Sequence, residues 1–454
     1  MEQNESSKKI IESCQDIVLP GSSGVMPIAG YFGPHRPFVT ATGHTTPDYL
    51  EDKYYQMIED AGFNLICYTE YVYEQNPREY HDALALAEKH DIGMFVIDSR
   101  IKPGMTDSEI SDCIADYSKY KSFAGLYIAD EPSTNNFPQK LEGFDQQLGR
   151  RLMSWYAKNS KLVNSYDNML GYVNLLPIYH WMDATTEDYE DYIKEYCETF
   201  GAKILSYDHY PFCVYYEGGM PETAMKYYFL NFSIIYKYAK LYNLDLWAFI
   251  QAGGNWASTF KEVEIYEPNR EETLWLVNIS LAYGAKGIQY FPLIQVYDMS
   301  LRPDGTVDSN RSGIIGADCK PTRYWHFAKE ANAQIKVVDE ILLECESKGL
   351  IAIGEVAKYT EGLPEFFAEA SYRELQSVKT EKEGAVIGCL DYHGKTVFYV
   401  VNHDREKDQN IKLQFDDMYT YHLLAAGCDE EQTGTVCEVS LGAGAAVLIL
   451  IGDH

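Results

Sequence analysis

Gly125-Leu126-Tyr127-Ile128-Ala129-Asp130-Glu131-Pro132 is a short apolar run that ends abruptly in two carboxylates and a proline. With its start at Ala124 it has the length of a buried strand rather than of a helix, and the proline opposes any continuation. Longer amphipathic segments flank it, residues 107–117 before and 138–159 after. A buried strand followed by a helix that crosses back over the sheet is the unit of a parallel α/β fold.

The same unit recurs outward in both directions. Strands are expected over residues 28–32, 63–68, 93–97, 124–129, 169–174, 204–207, 246–250 and 287–291. The helices between and after them are expected over 47–61, 81–90, 107–117, 138–159, 187–200, 223–242, 271–283 and 321–343, with start signals at Thr45-Thr46-Pro47 and Thr106-Asp107. Eight consecutive units close into a (β/α)8 barrel. A doubly wound sheet would carry a glycine-rich phosphate loop after its first strand, whereas Gly33-Pro34-His35-Arg36-Pro37 stands there, so no nucleotide cofactor is expected.

Beyond residue 343 the pattern becomes period-two alternation with polar punctuation, as in residues 395–401 followed by Asn402-His403-Asp404. Residues 344–454 are therefore expected to form an all-β sandwich, residues 21–343 the barrel, and residues 1–20 an N-terminal extension. No low-complexity linker separates the two domains, so they should share a firm interface. The sandwich, which lacks tryptophan, is read as bracing the barrel.

Asp and Glu number 68 against 38 Lys and Arg, a net charge of −30, which argues against partners with phosphate backbones or anionic membrane surfaces. No stretch reaches the roughly 18 apolar residues of a membrane span, and residues 1–14 hold no apolar signal region. The chain accordingly reads as cytoplasmic, or as exported with its signal peptide already removed. Ten cysteines without paired short spacings read as free thiols, and no metal site is assigned. Cys213, near a strand end, reads as a small buried filler. Asp304, Asp308 and Asp318, in the long connection 293–320 that is a candidate lid, lack a calcium-loop spacing and read as solvated. Dimerisation is left open.

In a barrel of this kind the working groups stand at the carboxyl ends of the strands. Those ends supply Tyr31, Phe32 and His35; Thr69 and Glu70; Asp98 and Arg100; Asp130 and Glu131; Asn174; Asp208, His209 and Tyr210; Gln251; and Gln289 with Gln295. Carboxylates, amides and aromatic rings together suit a pocket for carbohydrate. Asn174 either holds a sugar hydroxyl or satisfies backbone groups, and Tyr210 and Trp256 either stack on a pyranose face or pack in the core. Glu131, beside a second carboxylate, has the environment that keeps a carboxyl protonated near neutrality; otherwise the pair caps the next helix, for which Ser133 is better placed.

The Asp130-Glu131-Pro132 tripeptide at the end of the fourth strand resembles the Asn-Glu-Pro of the clan of retaining (β/α)8 glycoside hydrolases that includes the β-galactosidases. That resemblance implies a glycosidase acting on a small oligosaccharide or glycoconjugate, with Glu131 as general acid/base. Asparagine is replaced by Asp130, and the seventh strand ends in Gln251 where the clan keeps its nucleophilic glutamate; an amide cannot form the glycosyl ester. Three readings follow. Asp208 supplies the second carboxylate as an inverting base, with Glu70 and Asp98 behind it. Alternatively, Asp130-Glu131 resembles the Asp-Glu pair of exo-acting β-N-acetylgalactosaminidases, in which Asp130 would orient a substrate acetamido group. In the third, the barrel binds sugar without cleaving it.

Overall fold

The computed structural model describes residues 19–20, 24–67, 78–132, 146–178, 186–215, 221–254, 256–258, 263–297, 312–381 and 383–452. In chain order the strands of its first part are β1 (Ile28–Tyr31), β2 (Leu65–Cys67), β3 (Gly93–Val96), β4 (Phe123–Asp130), β5 (Leu170–Leu175), β6 (Ile204–Tyr207), β7 (Cys213–Tyr215), β8 (Asp245–Gln251), β9 (Trp256–Ser258), β10 (Val263–Ile265) and β11 (Gly287–Phe291). Eight of them close into a parallel barrel in the order β1-β11-β8-β6-β5-β4-β3-β2, and β7, β10 and β9 form a small antiparallel sheet that the sequence pattern did not announce. The helices are α1 (Asp52–Asp60), α2 (Arg78–Lys89), α3 (Asp107–Tyr117), α4 (Gln146–Asn164), α5 (Thr186–Thr199), α6 (Pro221–Tyr242), α7 (Arg270–Ala282) and α8 (Arg323–Glu344).

Thr106 caps α3 as expected, in a reciprocal capping box with Glu109. Thr45-Thr46-Pro47 starts no helix. The Thr46 hydroxyl instead accepts from the Phe38 amide at 3.1 Å, closing a turn, and α1 begins only at Asp52. Inside the barrel, Ala29, Tyr31, Leu65, Phe95, Tyr172, Trp247 and Phe249 fill the space between strands. Gly287 makes room for the largest of them: a Cβ there would lie 2.6 Å from the Trp247 indole.

After α8 come β12 (Glu346–Ile353), a single helical turn α9 (Ala357–Thr360), β13 (Leu375–Lys379), β14 (Ala385–Tyr392), β15 (Lys395–Asn402), β16 (Gln409–Ala425), β17 (Cys428–Leu441) and β18 (Ala446–Ile451). They pair antiparallel in the order β12-β14-β15-β18-β16-β13, with β17 on β16. A register break between Gln414 and Tyr419 divides β16: its first part pairs with β13 and its last with β18. The sheet thereby doubles back as a sandwich about Ile387, Phe398, Phe415 and Ile449. The opposite side of β14 and β15 lies on α7. Among the described residues no helix is long and apolar enough to cross a membrane.

Candidate active site

The decisive local feature is a bulge in β4. Its partner register against β5 slips between Tyr127 and Ala129, so that Ile128 has no opposite number and Asp130 comes alongside Asn174. Strict alternation would set Tyr127 and Asp130 on opposite faces. With the extra residue, Leu126 and Ala129 pack outward in the layer that also holds the helices, Tyr127 joins the barrel interior, and Asp130 follows it inward. Glu131 then turns in the left-handed region, with φ 43°, its amide donating to the Asn174 carbonyl at 2.9 Å. A non-glycine residue there carries about 1 to 2 kcal/mol of strain, of the kind that collects at functional sites.

Asp130 accepts a hydrogen bond from Asn174 Nδ2 at 3.4 Å and lies within hydrogen-bonding reach of the Tyr31 and Tyr127 hydroxyls. The two phenols hydrogen-bond to each other, and since each has a single proton, one donates to its neighbour and the other to Asp130. Asp130 is open to solvent, yet burial raises its pKa and its hydrogen-bond donors only partly offset that. Asn174 Nδ2 also donates to Asp208 Oδ1 at 2.8 Å, and Asp208 shares a side-chain hydrogen bond with Glu131. Burial first, and the neighbouring Asp130 charge second, push Asp208 up to about 7. Two carboxyls can share a hydrogen bond only while one of them keeps its proton.

Beside the carboxyls stands a cluster of rings. Tyr31 meets Phe249 and Phe291 edge-on at 5.4 and 5.8 Å, and Tyr210, half-buried, lies 5.7 Å from Phe291 at the rim of the cluster. The structure thus brings together Asp130, Glu131, Asn174 and Asp208, with Tyr210 against the same aromatic cluster. Tyr127 is the member that the sequence reading passed over, because its place three residues before Asp130 points inward only through the bulge.

Other candidates stand elsewhere or are engaged. Gln251 is fully buried, its Oε1 accepting from the Phe212 amide at 3.2 Å and its Nε2 donating to the Phe212 and Tyr266 carbonyls at 3.2 and 2.8 Å. It ties the approach to β7 to the exit from β10, so the placement of Gln251 on a sugar is corrected: its polar atoms already have partners. Asp98 likewise does not face substrate; its side chain is buried against Arg100, whose Nη2 is 2.7 Å from Oδ2 and whose Nε is 3.0 Å from both carboxylate oxygens. The Glu131–Asp208 contact also removes the wide separation expected of Asp208 as an inverting base. Cys213 is buried in the inner core. Glu70, Thr69, Ser133, Asp304 and Asp308 lie outside the described residues, as does the Trp256 side chain, whose backbone opens β9. Of the long connection after β11, the described ends are pinned together: Gln295 donates to the Ile315 carbonyl and Ile315 to that of Leu293, each at 2.9 Å, and Asp318 is exposed beside Lys320.

No family model matches the chain, and no curated protein matches it. Solved structures similar to it include the α-amylase of Geobacillus thermoleovorans, at 10% identity and TM-score 0.47 over 95% of this chain and 99% of that one. A GH27 β-L-arabinopyranosidase of Geobacillus stearothermophilus is 9% identical, TM-score 0.45, over 95% and 97%. The endo-β-1,4-mannanase of Thermotoga petrophila is 10% identical, TM-score 0.39, over 92% and 98%. Likenesses this distant assign neither a substrate nor a catalytic residue to this chain.

Proposed function

We propose that the chain is a glycoside hydrolase in which Glu131 donates a proton to the leaving glycosidic oxygen of a small oligosaccharide or glycoconjugate. The observation that carries this reading is the hydrogen bond between Glu131 and Asp208 at the carboxyl end of the barrel. With Asp208 raised to about 7, the pair retains a proton into the neutral range, where a general acid works best. Asp130, which accepts from a phenol and an amide, is the member best able to carry the negative charge, opposite which an oxocarbenium-like transition state is stabilised. Tyr210 and the rings behind it offer the sugar a face to stack on.

The same contact favours a second reading. It sets the two carboxyls closer than the roughly 5–5.5 Å of a retaining pair or the roughly 6.5–9.5 Å of an inverting one. A substrate-assisted reaction needs no second carboxyl: the acetamido oxygen of an N-acetylhexosamine attacks the anomeric carbon while Glu131 protonates the departing oxygen. A carboxylate accepts about four hydrogen bonds, and among the described residues one phenol and the Asn174 amide donate to Asp130, which leaves it able to accept from the acetamido N–H.

Hydrolysis of a panel of aryl galactosides, glucosides and N-acetylhexosaminides by the wild type and Glu131→Gln tests both readings. The substitution is expected to lower turnover of poor leaving groups about 10²- to 10⁴-fold with the fold intact. Turnover confined to N-acetylhexosaminides selects the substrate-assisted reading. Hydrolysis indifferent to Glu131→Gln removes Glu131 from the chemistry, and sugar binding without hydrolysis makes the barrel a binding protein.

A further inference from the structure

Beneath the carboxyls runs a hydrogen-bonded chain of fully buried side chains: Gln289 on β11, Tyr172 and Asn174 on β5, and Ser206 on β6. The Tyr172 hydroxyl donates to Gln289 Oε1, and Gln289 Nε2 donates to Ser206 Oγ at 2.8 Å. Ser206 Oγ donates to Asn174 Oδ1 at 3.1 Å and lies 3.0 Å from the Tyr172 hydroxyl. Counting donors gives the chain a direction. The Tyr172 proton occupies the Gln289 carbonyl, so the Gln289 NH2 faces Ser206, and the single Ser206 proton is passed to the Asn174 carbonyl. The Asn174 NH2 is then left facing Asp208 and Asp130, at 2.8 and 3.4 Å. With the amide reversed, its carbonyl would confront two carboxylates and its NH2 would meet a hydroxyl already approached by the Gln289 NH2.

We propose that Ser206, backed by Gln289, is a positioning residue for the carboxyl cluster: it holds the Asn174 amide with its NH2 toward Asp208 and Asp130 and so sets how tightly the cluster keeps its proton. The functional consequence rests on the glycosidase reading; the positioning itself does not. Around the carboxyls, the described phenols and thiol keep their protons. Burial holds the phenols of Tyr31, Tyr127 and Tyr172 and the Cys67 thiol, all near Asp130, above their ordinary values, so they stay protonated. The phenols that face Asp208 from α5 and β6, Tyr189, Tyr192 and Tyr207, are held up by burial in the same way. Among the described residues Glu131 is a further partner, through its hydrogen bond to Asp208.

The test is 13C NMR titration of the full chain labelled at aspartate Cγ, with the Asp130 and Asp208 signals assigned by their Asn variants, in wild type and Ser206→Ala. Losing the hydroxyl releases the Asn174 amide and withdraws a donor from both carboxylates, so their midpoints are expected to rise by about one pH unit. Ser206→Thr, which keeps the hydroxyl, is expected to restore them, and the alkaline limb of the kcat/KM profile should move with them. A purely structural serine would lower the melting temperature and leave the midpoints alone; unmoved midpoints in folded Ser206→Ala overturn the proposal. Should that variant fail to fold, Gln289→Met is read the same way, a rise supporting and an unmoved midpoint overturning. Midpoints that move in a protein hydrolysing no glycoside keep the positioning and sink the glycosidase reading.

Discussion

Asp208 is buried and yet acidic, and that combination has a sign that can be worked out. Its folded pKa, about 7, lies above its ordinary value of 3.8, so between those two pH values the folded chain binds more protons than the unfolded one. Stability from this group is therefore greatest below pH 3.8, falls as pH rises to about 7, and stays low above it. Asp208→Asn, which keeps the shape and removes the charge, is expected to stabilise the fold at pH 8 by at least ~1 kcal/mol in urea melts and to gain little at pH 4, while turnover falls. Equal stability of the two proteins at both pH values would contradict the assignment. The residues of this cluster were legible because polar side chains at the ends of apolar strands have few structural excuses: Asp130, Glu131, Asn174 and Asp208 all announced themselves that way. Gln251 and Asp98 gave the same signal for a different reason. Their partners, the backbone at Phe212 and Tyr266 and the Arg100 guanidinium, are set by loop paths that no periodicity encodes.

The β-strand and helix pattern of the barrel follows from hydrophobic periodicity, and each expected strand overlaps an observed one. A bulge leaves no such trace, since one inserted residue looks like any other in a run of apolar side chains. Yet β4 depends on two irregularities, at Tyr127/Ala129 against β5 and at Met94/Phe95 against β3. Gly125 sits between them with φ 129°, and a Cβ there would lie 2.2 Å from the Leu170 carbonyl oxygen and 2.7 Å from the Leu170 amide. Backbone atoms of a neighbouring strand cannot yield as a side chain can. Gly125→Ala is expected to cost about 3 kcal/mol in urea melts, and to reduce turnover even in its folded fraction by displacing Tyr127 and Asp130. Wild-type stability and turnover together would show that the irregular β4 backbone does not place the site.

At the scale of the whole chain, α7 joins the two domains, and its sequence says so in an unusual way. Every residue from Thr273 to Ala282 is buried, which a helix on the rim of an isolated barrel cannot achieve, because one face would meet water. Here the second face meets β14 and β15, and the contact is polar as well as apolar. Trp275 Nε1 donates to His403 Nδ1 at 3.2 Å; Asn278 Nδ2 donates to the Gly444 carbonyl at 2.9 Å, and the Tyr399 hydroxyl donates to Asn278 Oδ1 at 2.8 Å. Gly388 lets the strand lie flat on the helix, since a Cβ there would be 2.3 Å from the Ala282 carbonyl oxygen. A buried amide that bridges two groups of the other domain couples their stabilities. Asn278→Ala strands a carbonyl and a phenol, each at roughly 1 to 3 kcal/mol, so the variant is expected to lose about 2 to 6 kcal/mol. Because the lost bonds span the interface, barrel and sheet should still melt together, in one calorimetric transition at a lower temperature than wild type. If wild type already melts in two steps, or the variant lowers only one of two, the sandwich rides on the barrel without bracing it, and the buried second face of α7 would need another reason.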